Sequence, residues 1–130
     1  MDKKEITMKF NNEFLGELIA EKGTTNIGLE KNTLSPYDML LGGLGSCYYS
    51  TFLDVAKKKR IAFDFAEIFV EGEKRETPPA TLKWVKVNLT IKNSSNDLGL
   101  KKAAALAAKY CSIYVTISKV ADISWEINFI

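Results

Sequence analysis

Two thiols and no imidazole set the chemistry open to this chain. Cys47 and Cys111 are its only cysteines, and it contains no histidine. A cysteine nucleophile of the protease kind works through a histidine base, and histidine is the commonest metal ligand. Two thiols on their own can cycle between dithiol and disulfide, with a sulfenic acid between the two states. The cysteines lie too far apart for a CxxC redox motif or a zinc-knuckle spacing, and no metal is expected. Residue type alone leaves two readings open: a redox pair, or buried thiols that pack as small apolar side chains. Gly45-Ser46 and Tyr48 around one cysteine and Ser112 after the other are small or hydroxylic neighbours that suit the redox reading.

The elements that would position these thiols can be read from periodicity. Glu5 to Phe10 alternates polar and apolar, Asn11-Asn12 signals a turn, and Phe14 to Ala20 resumes the alternation, so a β-hairpin opens the chain. A short strand is expected over Asn26 to Glu30. Ser35-Pro36 then reads as helix N-cap and first helical residue, with Asp38 adding negative charge to the first turn. The helix runs from Pro36 to about Lys59 and carries Cys47 on an apolar side. Gly42, Gly43 and Gly45 each cost about 1 kcal/mol relative to alanine inside a helix. Their clustering therefore predicts close approach of another element.

Phe63 to Glu73 and Thr81 to Lys92 read as two long strands around the Thr77-Pro78-Pro79 turn. Asn96 or Asp97 caps an alanine-rich helix over Lys101 to Lys109. Cys111-Ser112 interrupts that helix, Ile113 to Val120 resumes it for a turn or two, and Ile123 to Ile130 alternates as a last strand. Helices and strands are segregated along the chain, which predicts an α+β fold with antiparallel sheet.

Composition narrows the partners. The chain has 130 residues, 46% hydrophobic and 26% charged, which predicts one domain spanning 1–130 with a core of its own. A formal charge of +2 gives no electrostatic case for nucleic acid or an anionic membrane. The basic run Lys57 to Arg60 reads as a solvated helix end. The most apolar stretch, Met39 to Leu53, is shorter than the ~20 residues of a membrane span. Met1 to Phe10 lacks the pattern of a secretory signal, so the cytoplasm is the expected compartment. There a Cys47–Cys111 bond would be transient and functional rather than a permanent staple.

Two segments are similar to a known family. Ser35-Pro36-Tyr37-Asp38-Met39-Leu40-Leu41-Gly42-Gly43-Leu44-Gly45-Ser46-Cys47 resembles the first-helix signature of the OsmC/Ohr family. Ala107-Ala108-Lys109-Tyr110-Cys111-Ser112-Ile113-Tyr114-Val115-Thr116-Ile117 resembles its second-cysteine segment. The resemblance implies an OsmC-like α+β fold, with antiparallel sheet wrapped around a long central helix, and an intertwined homodimer. It also implies a thiol-dependent peroxidase without a cofactor. Cys47 would attack an organic hydroperoxide, Cys111 would resolve the sulfenic acid to a disulfide, and an external dithiol would reduce it.

The active enzymes of the family place an arginine from the N-terminal strands beside the first cysteine and hold it with a glutamate. In this chain no arginine precedes Arg60, and Tyr37 stands at the glutamate position with Asp38 next. Asp38 is thus the acidic candidate at the site and Lys22 a substitute cation, although lysine lacks arginine's planar fork of donors. The same departures motivate an alternative: a dimer of this fold that binds a small apolar ligand or senses oxidation without efficient turnover.

Overall fold

The structure, a computed structural model, describes residues 2–130. Its elements, in chain order, are β1 (Thr7–Phe10), β2 (Leu15–Ala20), β3 (Gly23–Gly28), α1 (Pro36–Lys58), β4 (Phe65–Lys74), β5 (Leu82–Lys92), α2 (Asp97–Tyr110), α3 (Ser112–Ser118) and β6 (Asp122–Phe129). The chain divides into two compact units, residues 1–40 and 41–130. Among the described residues no helix is long and apolar enough to cross a membrane.

The first unit is an antiparallel meander in the order β1-β2-β3. Asn11 shapes its first turn, its side-chain oxygen accepting from the Glu13 N–H at 2.9 Å. Phe10 and Phe14 stack across that turn with centroids 5.7 Å apart. All four residues of β1 are exposed. Ser35 and Asp38 form a reciprocal capping box at the start of α1. The Ser35 N–H donates to the Asp38 carboxylate at 2.9 Å, and the Asp38 N–H donates to Ser35 Oγ at 3.2 Å.

The second unit packs α1, α2 and α3 with the sheet β4-β5-β6. Val85, Val87, Leu89 and Ile91 alternate along β5 and are all buried, which is the period of a strand with one covered face. From α1, Leu44, Gly45, Tyr48, Phe52 and Ala56 are buried, a stripe at helical spacing. In α2 the alanines do the same work with less bulk: Ala103, Ala104 and Ala107 have no exposed surface.

Two expectations are corrected here. The sheet is mixed rather than antiparallel, because β6 lies parallel to β5 while β4 is antiparallel to it. The cause is the connection: β5 reaches β6 through α2 and α3, and a long helical crossover returns the chain in the same direction, which a short turn cannot do. The glycine cluster also has one tight position rather than three. A Cβ on Gly45 would lie 3.1 Å from Val70 Cγ2 and 3.5 Å from Ile68 Cγ2, so the sheet approaches the helix there. A Cβ on Gly43 would meet only Ile113 Cδ1 at 3.9 Å, and one on Gly42 would meet nothing within 4 Å.

Candidate functional site

Cys111 occupies a single break between two helices and serves both. Its φ of −69° and ψ of 115° are extended, so α2 cannot continue through it. Its N–H closes α2 on the Ala107 carbonyl at 2.8 Å, and its carbonyl accepts from the Val115 N–H at 3.0 Å to open α3. The sulfur acts as the N-cap acceptor of α3, taking the Tyr114 N–H at 3.4 Å. The sequence places Ser112 immediately afterwards as the first residue of α3.

Cys47 approaches this break from α1. It is half-buried, whereas Cys111 is fully buried. The two sulfurs are 3.1 Å apart, with the Cys111 thiol donating to Cys47 Sγ. That is hydrogen-bond contact between two free thiols, and both atoms belong to the second unit.

The residue after Cys47 holds this arrangement together. Tyr48 is 1% exposed, its hydroxyl donates to the Ala104 carbonyl of α2 at 2.9 Å, and its ring lies 5.7 Å from that of Tyr114 in α3. One side chain on α1 thereby touches both helices that flank Cys111. Burial pushes the Tyr48 hydroxyl far above the usual phenol range, with Tyr114 and Cys111 adding to the effect. Tyr114 is raised for the same first reason, burial, and then by Cys111.

The two thiols are driven apart electrostatically. Burial pushes Cys47 upward, but hydrogen bonds from the Cys111 thiol, the Ile113 N–H and the Ser112 side chain and N–H outweigh it, leaving Cys47 below the ordinary thiol value. Burial raises Cys111, and the neighbouring Cys47 raises it further against the Tyr114 and Ile113 N–H groups. Of the two thiols Cys47 is therefore the first to ionise, and Cys111 is the one that keeps its proton longer. Every group that lowers Cys47 is a neutral donor.

The other candidates fall in the first unit. The Asp38 carboxylate is engaged in the capping box, and Ser35's backbone and then its side chain hold it below the usual aspartate range. Lys22 is exposed in the turn between β2 and β3. Among the described residues no group of three His, Cys, Asp or Glu side chains could hold a metal. The sequence reading did not single out the Tyr48 bridge or the Ser112 and Ile113 donors. The only signal available was the Cys111-Ser112 helix break, which marks where backbone N–H groups lack helical partners.

No curated protein matches the chain. A family model described as "OsmC-like protein" matches residues 28–126. Among solved structures, a hypothetical protein from Aquifex aeolicus is 27% identical with a TM-score of 0.86, covering 100% of this chain and 99% of its own. An OsmC-like protein from Mycoplasma pneumoniae is 21% identical with a TM-score of 0.89, over 99% and 98% of the two chains. An organic hydroperoxide resistance protein from Legionella pneumophila is 18% identical with a TM-score of 0.76, over 98% and 99%. With a mixed-sheet α+β fold, a long central helix and two thiols in contact, this chain belongs to the OsmC family.

Proposed function

We propose that this protein is a thiol-dependent peroxidase that reduces organic hydroperoxides. The observation that carries the reading is the 3.1 Å contact between a half-buried Cys47 sulfur, whose pKa its donors lower, and a buried Cys111 thiol. A thiolate is the nucleophile in such chemistry. Cys47 attacks the outer peroxide oxygen, becomes a sulfenic acid and releases an alcohol. Cys111 then displaces the hydroxyl as water to give the Cys47–Cys111 disulfide, and an external dithiol restores both thiols. The name of the Legionella relative, an organic hydroperoxide resistance protein, supports the same substrate class. Asp38 would act through the start of α1, where it stabilises the helix that carries Cys47.

The working form is a homodimer on this reading, formed from single-domain chains in the cytoplasm. Its support is the first unit, where Ile6, Met8, Phe10, Phe14 and Leu29 are all exposed. Exposed large apolar side chains gathered in one unit suit an interaction surface, and a second copy is the occupant the family suggests.

The experiment is turnover of tert-butyl hydroperoxide with dithiothreitol by wild type, Cys47→Ser and Cys111→Ser. Cys47→Ser should abolish turnover, and Cys111→Ser should accumulate a dimedone-reactive sulfenic acid. Wild-type turnover no faster than that of Cys47→Ser would remove the peroxidase reading and leave ligand binding or oxidation sensing in its place.

A further inference from the structure

The site has an unusual shortage of acids. Cleaving a peroxide releases an alkoxide, a strong base that needs a proton as it departs. There is no histidine in the chain. The Tyr48 hydroxyl is committed to the Ala104 carbonyl, and Asp38 is ionised in its capping box. Of the donors that face Cys47, the Ser112 hydroxyl and the Ser112 and Ile113 N–H groups are far weaker acids than a thiol, which leaves the Cys111 S–H, donating to Cys47 Sγ at 3.1 Å, as the acidic proton at the reacting atom.

We propose that the Cys111 thiol is the general acid of peroxide cleavage as well as the resolving group. This assignment rests on the peroxidase reading above and adds a second task for the same sulfur. In the reactive form of the pair, with Cys47 ionised, the Cys111 proton bridges to the Cys47 sulfur across the 3.1 Å contact. When Cys47 attacks, that charge leaves its sulfur and appears on the departing oxygen, one bond beyond the sulfur-bound hydroxyl. The hydrogen bond loses its acceptor at Cys47 and gains a stronger one, directly or across one water. An alkoxide is a far stronger base than a thiolate, so the transfer runs downhill.

The step balances. RO–OH, Cys47–S⁻ and Cys111–SH give Cys47–S–OH, ROH and Cys111–S⁻. The S–O bond forms as the O–O bond breaks, and the proton passes from sulfur to the alkoxide. Cys111–S⁻ then attacks the sulfenic sulfur, forms the disulfide and expels hydroxide, which takes a proton from solvent. Each sulfur gives up one electron and the peroxide bond takes two. Oxidation of Cys47 thereby creates the thiolate that resolves it, and no separate base is needed for the second step.

The test compares leaving groups. Sulfenic acid formation is followed by stopped flow for wild type, Cys111→Ala and Cys111→Ser with tert-butyl hydroperoxide and with peracetic acid. Rates are divided by the Cys47 thiolate fraction, taken from absorbance at 240 nm. Acetate leaves without a proton, while tert-butoxide does not. Cys111→Ala should slow the tert-butyl reaction by about 100-fold, within the range for loss of a general acid, and the peracetic reaction far less. Cys111→Ser, which keeps a hydroxyl donor and nearly the same volume, should recover part of the tert-butyl rate. Equal slowing of both oxidants, or of neither, would overturn the assignment while leaving the peroxidase reading intact. A wild type that reacts with neither oxidant would overturn both.

Discussion

Tyr48→Phe tests the helix junction that holds the two thiols together. The substitution keeps the ring, which is 1% exposed, and removes only the hydroxyl that donates to Ala104. A net intramolecular hydrogen bond contributes about 1 kcal/mol. The Ala104 carbonyl lies inside α2 and keeps its helical partner, so no further desolvation cost arises. At pH 7 the variant should therefore be less stable by about 1 kcal/mol.

The sign of that difference depends on pH. Burial raises the Tyr48 pKa in the folded protein above the value of about 10 found in an unfolded chain. Its stabilising contribution is full below pH 10 and is lost as pH rises, because the unfolded state then releases a proton that the native state retains. The loss approaches about 1.4 kcal/mol per pH unit. Phenylalanine has no proton to release, and the other titrating groups are common to both chains. The two stability curves should meet near pH 10.7, roughly where the accumulated loss equals 1 kcal/mol, and cross above it. Urea unfolding followed by circular dichroism in the presence of a phosphine reductant, from pH 7 to 11, measures the difference directly. A gap that stayed constant to pH 11 would refute the placement of the Tyr48 hydroxyl in a buried junction.

Two shorter predictions concern the cysteine itself and the helix that carries it. Because the Cys47 pKa is lowered from the ordinary thiol value of 9.0, its alkylation by iodoacetamide should reach half its maximal rate below that pH, with peptide mapping showing Cys111 unlabelled; a half-point at or above it would contradict the donor set around Cys47. Gly45→Val should destabilise by about 2–3 kcal/mol and lower Tm by roughly 8–12 °C, because the added methyl groups meet Val70 and Ile68; an unchanged Tm would mean the sheet does not press on that face.

Local signals carried much of this structure. Pro36 after a Ser35 N-cap located the start of α1, and its length differs from expectation by a single residue at Lys59. The β pattern over Thr81 to Lys92 matched β5 to within a residue, Leu82–Lys92. What escaped the sequence was non-local. Alternation reports which face of a strand is covered but not the direction of its neighbour, so the parallel pairing of β6 was misjudged. Asn26 to Glu30 marked a strand whose observed range, Gly23–Gly28, begins earlier, since pairing with β2 rather than propensity sets its limits. At the site, the two cysteines could be identified by type, and the break at Cys111-Ser112 by the residues around it. Their 3.1 Å contact could not be read, because it depends on how three helices pack around Tyr48. The donors facing Cys47 include backbone N–H groups, which every residue has and which therefore leave no trace in residue types.

The crossover from β5 to β6 gives the cysteine pair a further meaning in chain entropy. Cys111 sits within that crossover and Cys47 on α1, so a bond between them would tie points 64 residues apart. Closing a loop of that length in the unfolded chain removes entropy equivalent to about 4 kcal/mol at room temperature in the loop-closure treatment. Oxidation would thus make the molecule harder to unfold, and reduction would return it to a softer state. Its resistance to heat or proteolysis would then rise and fall with the oxidation state of the pair, so that the oxidised population is also the one best protected from degradation.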